Sequence, residues 1–71
     1  MIDHRAVRRL REERGWSKAE LARRAGTTRQ YIFLMEAGRN TNPSARIVQA
    51  LANALEVPVT DLLADVKGGA A

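Results

Sequence analysis

Arg29 and Gln30 stand side by side in the stretch RRAGTTRQYIFLMEAGR, residues 23–39. A guanidinium fork donates two parallel hydrogen bonds, and a carboxamide both donates and accepts. These geometries match nucleic-acid base edges: Arg pairs with guanine O6/N7 and Gln with adenine N6/N7, each worth about 1–3 kcal/mol of discrimination. Directly behind them come Tyr31, Phe33 and Leu34, side chains of the kind that fill a core or an interface. The stretch therefore carries two unlike messages, and the elements around it must decide which faces outward.

The charge balance agrees with a polyanionic partner. Twelve Lys+Arg oppose eight Asp+Glu for a net +4, and ten of the twelve are arginine. Residues 1–46 hold 11 basic and 5 acidic side chains, residues 47–71 only 1 and 3. A basic half on so short a chain suits phosphate, which arginine grips with its planar fork. The plain alternative is the solvated charged surface of an ordinary soluble domain.

Other chemistries find little support. His4 is the sole histidine and has no carboxylate cluster at ligand spacing, so neither a metal site nor acid–base work is expected. The absence of cysteine removes disulfides, thiolate metal sites and a cysteine nucleophile, and fits a cytosolic protein. No glycine-rich phosphate loop or catalytic triad can be assembled, so no enzyme, cofactor or small-molecule ligand is expected. The longest apolar run, Tyr31 to Met35, is far too short to span a membrane. The opening MIDHRAVRRL has no apolar segment followed by a cleavage site, so no secretory signal is evident.

Seventy-one residues suggest one small domain, residues 1–65, with 66–71 as a disordered tail. A domain of this size buries only about 60% of its unfolded surface, so little sequence is spare. The chain reads as all helix. Asp3 can cap a first helix near 4–14, with Val7 and Leu10 inward and Gly15 closing it. SKAE (17–20) is a capping box: Ser17 takes a free backbone N–H and Glu20 reaches back to the amide of residue 17. It opens a helix over 18–25 with Leu21, Ala22 and Ala25 inward, ended by a left-handed turn at Gly26. Thr27 or Thr28 caps a third helix, about 28–37, ending at Gly38. Pro43–Ser44 starts a fourth, about 44–55, in which Ala45, Val48, Leu51, Ala52 and Leu55 recur at helical spacing. Pro58 starts a short fifth, about 58–64, anchored by Leu62 or Leu63. Trp16 is expected at the corner between helices one and two. Arg5, Arg8, Arg9 and Glu12 are expected to form the solvated face of helix one, and Arg23 and Arg24 a surface charge on helix two.

The junction of helices two and three has a mechanical meaning. A small Ala22 lets helix three cross close to helix two, Gly26 permits the tight turn, and Ile32 with Met35 pins helix three from below. This is the logic of a helix-turn-helix. With LREERGWSKAELARRAGTT, Ile32 with Met35-Glu36 and Gly38, the NPS entry to helix four and ALANALEVPVTDLL, the chain resembles the phage-repressor/Cro (XRE-type) helix-turn-helix domains from about Val7 to Leu63. The resemblance implies a compact, all-α, five-helix lambda-repressor-like DNA-binding domain. It further implies a transcriptional regulator, a repressor or autoregulator, that binds a palindromic operator as a homodimer.

Carried over residue by residue, the resemblance makes Arg29, Gln30 and Leu34 base contacts, with Phe33 beside them. Ser17 and Lys18 at the start of helix two would meet a phosphate, as would Arg11, Thr28 and the Tyr31 hydroxyl. Arg39, Asn40 and Asn42 in the loop and Ser44 at helix four would flank the other side of the groove. Turn and capping chemistry explains Asn42 and Ser44 equally well. Glu36 lies at the C-terminal end of helix three, where the dipole disfavours a carboxylate. The resemblance pairs it with Arg11.

At about 100° per residue, Thr28, Ile32 and Met35 cluster inward and Gln30 lies almost opposite. Leu34 and Phe33 flank Gln30, where relatives carry small or polar residues. They can touch a thymine methyl, pack against helix one or the 38–43 loop, or bind a protein. The last option sustains a rival, a protein-interaction module of antitoxin or anti-repressor type on the same fold. Within these residues a dimer contact would come from helices four and five around Val59, Thr60 and Leu63.

Overall fold

The computed structural model describes residues 1–64 except Thr41, so the tail expected at 66–71 lies outside the described residues. The elements in order are α1 (His4–Glu13), α2 (Lys18–Ala25), α3 (Arg29–Glu36), α4 (Ala45–Leu55) and a 3₁₀ turn, Val59–Leu62. The expected fifth helix is thus a single tight turn. Its amides reach back three residues, Asp61 to the Pro58 carbonyl and Leu63 to that of Thr60, and Leu62, fully buried, is the anchor while Leu63 stays 40% exposed.

Each helix begins on a side-chain cap. Asp3 accepts from the amides of Arg5 and Ala6, Ser17 from Glu20, Thr28 from Tyr31 and Ser44 from Ile47. Such caps satisfy N–H groups that the helix itself leaves open, and each is worth about 1 kcal/mol. Thr28 is the cap of α3. It is exposed, contrary to the inward position that helical rotation gave it, because a cap lies outside the helical frame. The capping box of α2 forms only by half. Ser17 takes the Glu20 amide, but the Glu20 carboxylate turns instead to Arg23 and Arg24.

The core is one cluster contributed by every element. Val7, Leu21, Ile32, Met35, Leu51, Leu55 and Leu62 are fully buried, and Ala22 is 3% exposed where α2 meets α3. On α4 the inward set is Ile47, Val48, Leu51, Ala52 and Leu55. Ala45, counted inward from spacing, is exposed in the first turn, and Ile47 occupies the core instead. Trp16 packs against the core at the α1–α2 corner, with the Arg24 guanidinium 4.2 Å from its ring centroid.

Residues 1–3 pair with residues 62–64. Ile2, 2% exposed, bridges antiparallel to Leu63, and the Asp3 amide donates to the Leu62 carbonyl at 2.8 Å. The Arg14 guanidinium spans the carbonyls of Leu10 and Leu55, joining the C-terminal ends of α1 and α4.

Candidate nucleic-acid interface

The orientation of α3 follows from what its inner side meets. Ile32 and Met35 are inaccessible to solvent, and Glu36 is buried beside them. Glu36 accepts from Arg11 twice, Nε to Oε2 at 2.7 Å and Nη2 to Oε1 at 2.9 Å, while Arg11 Nη1 donates to the Trp16 carbonyl at 2.7 Å. The side chains of Arg11 and Glu36 are 8% and 4% exposed. The hydrogen bonds to Glu36 raise the Arg11 pKa above its usual value, although burial works in the opposite direction. The pairing expected from sequence is therefore present as a buried bidentate bridge. It holds the C-terminal end of α3 against α1, and it leaves Arg11 only the second hydrogens of its Nη groups for any phosphate.

Rotation about this buried stripe sorts the remaining α3 side chains. Arg29 and Gln30 are exposed, Leu34 is half-buried, and Tyr31 packs partly against the core. Phe33 is 47% exposed and sits on the flank toward α1. There it lines an open cleft of about 210 Å³ with Arg8, Lys18, Glu36 and Ala37. Sequence reasoning placed Arg8 on a solvated face. Its proximity to Phe33 is set by the α1–α3 packing and has no signal in the sequence.

Turns position the other candidates. Gly26, at φ +71°, closes α2 and leads into α3. Gly38, at φ +78°, turns the chain after α3 beneath the His4 ring, and the amides of Arg39 and Asn40 both donate to the Leu34 carbonyl. Arg39 and Asn42 are exposed, Asn40 is half-buried, and the exposed Ser44 spends its hydroxyl oxygen on capping α4. Ser17 is exposed and Lys18 half-buried at the start of α2. On the far side, Thr60 is exposed, Val59 packs partly on the core, and Leu63 lies near the exposed Met1.

The basic side chains divide into two populations. Arg8 pairs with Glu12, Arg9 with Glu13, Arg23 and Arg24 with Glu20, and Arg11 with Glu36. Among the described residues Lys18, Arg29, Arg39 and Arg46 have no carboxylate partner, as is also true of Arg5 and of Arg14, whose guanidinium goes to backbone carbonyls. The first four lie at the start of α2, the start of α3, the loop after it and the start of α4. Among the described residues no group of His, Asp and Glu could hold a metal ion, and no helix is long and apolar enough to cross a membrane.

Comparison with known proteins places this geometry. A helix-turn-helix family pattern matches residues 7–62. The transcriptional regulator SinR of Bacillus subtilis is 36% identical over 63 residues, 89% of this chain; the chain spans about half of that relative, 56% of its length. A crystal structure of SinR, described as the master regulator for biofilm formation, in complex with DNA superposes with a TM-score of 0.82 at 33% identity, covering 86% of this chain and 100% of that one. A complex of SinR with the SinI protein gives a TM-score of 0.82 at 30% identity, covering 93% of this chain and 64% of that one. The buried α2–α3 junction, the capped helix starts and these likenesses agree: the chain belongs to the XRE-type helix-turn-helix family.

Proposed function

We propose that this chain binds double-stranded DNA in a sequence-specific way, with α3 in the major groove, as part of a transcriptional repressor or autoregulator. The observation that carries this reading is the segregation of cations. Carboxylates take up Arg8, Arg9, Arg11, Arg23 and Arg24, whereas Lys18, Arg29 and Arg46 at the starts of α2, α3 and α4, with Arg39 in the loop after α3, stand without carboxylate partners among the described residues. Such groups release counterions when they meet phosphates. The likeness to SinR in complex with DNA supports the same reading.

Arg29, Gln30 and Leu34 then meet base edges, while Lys18, Arg39, Asn40 and Asn42, with the Thr28, Tyr31, Ser17 and Ser44 hydroxyls, hold the backbone on both sides. Arg11 acts mainly by fixing Glu36 and hence the tilt of α3. One copy offers a small footprint. A homodimer on a palindromic operator, half-sites about one helical turn apart, supplies the remaining specificity. Its contact within this chain is the Val59, Thr60 and Leu63 surface, where Leu63 is 40% exposed.

The test is a titration of random duplex at two salt concentrations, followed by selection of bound duplexes from a random pool. Affinity falling steeply with salt and a palindromic consensus are the expected results. Undetectable binding at low salt would favour the second reading, a protein-interaction module, for which the likeness to the SinR–SinI complex is the supporting observation.

A further inference from the structure

The exposed ring of Phe33 is the least explained feature of α3. It is 47% exposed, yet it does not share the outward direction of Gln30 and Leu34. At about 100° per residue it lies on the flank of α3 shared by Arg29 and Glu36, and it turns toward α1 and the start of α2. An α-helix with its side chains is about 10–12 Å across, and the major groove is about 12 Å wide. The outward side chains of a helix lodged there meet base edges, while its flanks lie against the groove walls. Those walls are sugar and phosphate.

We infer that Phe33, Arg8 and Lys18 form a seat for one sugar–phosphate unit of the DNA backbone, the Phe33 ring covering deoxyribose carbons and the two cations flanking the phosphate. The inference rests on the DNA-binding reading above and assigns to Phe33 a role that carries no sequence information. The chemistry of the cleft fits. Lys18 has no carboxylate partner among the described residues. Arg8 spends its Nε on Glu12 and keeps both Nη groups, and its side chain is 64% exposed. Glu36, at the cleft wall, has both oxygens engaged by Arg11, so its charge is compensated rather than turned on an incoming anion. At about 210 Å³ the cleft is smaller than the roughly 300–1,000 Å³ of pockets that enclose a free small ligand. Its open side suits the edge of a polymer. The cleft is also continuous with the start of α2, the expected phosphate site, so one strand can run along both.

The experiment compares wild type, Phe33→Ala, Arg8→Gln and Leu34→Ala on the selected duplex, on single-base variants of it and on duplexes with thymine replaced by uracil. Thermal unfolding checks that the exposed substitutions leave the fold intact. Phe33→Ala should weaken every duplex by the same factor, about three- to tenfold, corresponding to half the burial of a phenylalanine. Its base preferences and uracil penalties should equal those of wild type. Arg8→Gln should reduce the slope of log affinity against log salt by about one phosphate contact. If Phe33→Ala abolishes discrimination at a single position, or removes a uracil penalty, the ring reads a base and the seat is refuted. Unchanged affinity on all duplexes refutes it equally. Wild-type protein that binds no duplex at low salt refutes the DNA-binding reading itself, a result distinct from either of these.

Discussion

Glu36→Gln removes one charge from the Arg11–Glu36 bridge while keeping the side-chain volume, so its cost measures the bridge rather than a cavity. In the folded state the Arg11 side chain, 8% exposed, would lose its hydrogen-bonded countercharge and keep only the more distant Glu12 carboxylate at 3.8 Å. Breaking a buried pair in this way costs about 3–5 kcal/mol. The whole domain, at about 0.05–0.15 kcal/mol per residue, holds only about 4–11 kcal/mol. The variant should therefore lose roughly a third of its stability or more, and its Tm should fall by at least about 12 °C. Glu12→Gln provides the internal control. It deletes the single 3.1 Å contact between Arg8 and Glu12, whose side chains are 64% and 53% exposed, along with a 3.8 Å approach to Arg11, and it should cost no more than about 1 kcal/mol. Replacing both buried partners, Arg11→Met with Glu36→Met, should return to within about 2 kcal/mol of wild type, the Trp16 carbonyl losing its donor in the exchange. Urea and thermal unfolding followed by far-ultraviolet circular dichroism give all three values. A loss below about 1 kcal/mol for Glu36→Gln would refute the reasoning, because the pair would then behave as a solvated one.

Lys18→Ala should weaken binding to all duplexes alike and lower the salt slope by about 1, whereas Arg29→Ala should relax preference at one base position; affinities across a single-base variant panel separate them. Glu56 ends α4 at φ 59°, a left-handed conformation that costs a non-glycine residue about 1–2 kcal/mol. Glu56→Gly should stabilise the domain by up to about 1 kcal/mol after the added freedom of the unfolded chain is subtracted, as read by urea midpoint. The Glu20 carboxyl is held below its usual range by hydrogen bonds from Arg23 first and Arg24 next, which outweigh desolvation. Because its folded pKa lies below the unfolded value near ~4.3, its stabilisation is fully present above that value and disappears as pH falls through the lowered one. The Tm difference between wild type and Glu20→Gln should accordingly hold steady from neutral pH to about 5 and vanish in stronger acid.

Local signals determined much of this protein. Asp3, Ser17 and Ser44 announce helix starts because their side chains bond amides within three residues, and no distant contact is needed. Spacing on α2 and α3 identified Leu21, Ala22, Ile32 and Met35 as core, since a helix of fixed pitch leaves no other side for them. Exposed Arg29 and Gln30 follow from the same rotation. Where competing local partners exist, sequence alone misleads. Glu20 chose two arginines over the backbone amide, and Thr28, one of the two caps expected for α3, does cap it but does not take the inward place that rotation gave it.

Tertiary structure decided everything that depends on which helix lies beside which. Ile2 is buried only because it meets Leu63 from the far part of the chain, and Arg14 finds the carbonyl of Leu55 only because α1 and α4 end together. The same holds for the open question in α3. Pitch puts Phe33 and Leu34 on opposite sides of Gln30, but it does not say what either side meets. It is the packing of α1 and of α2 against α3 that brings Arg8 and Lys18 to Phe33 and makes its surroundings cationic. A sequence specifies the period of its faces, but the neighbour of a face comes from contacts between residues far apart in the chain.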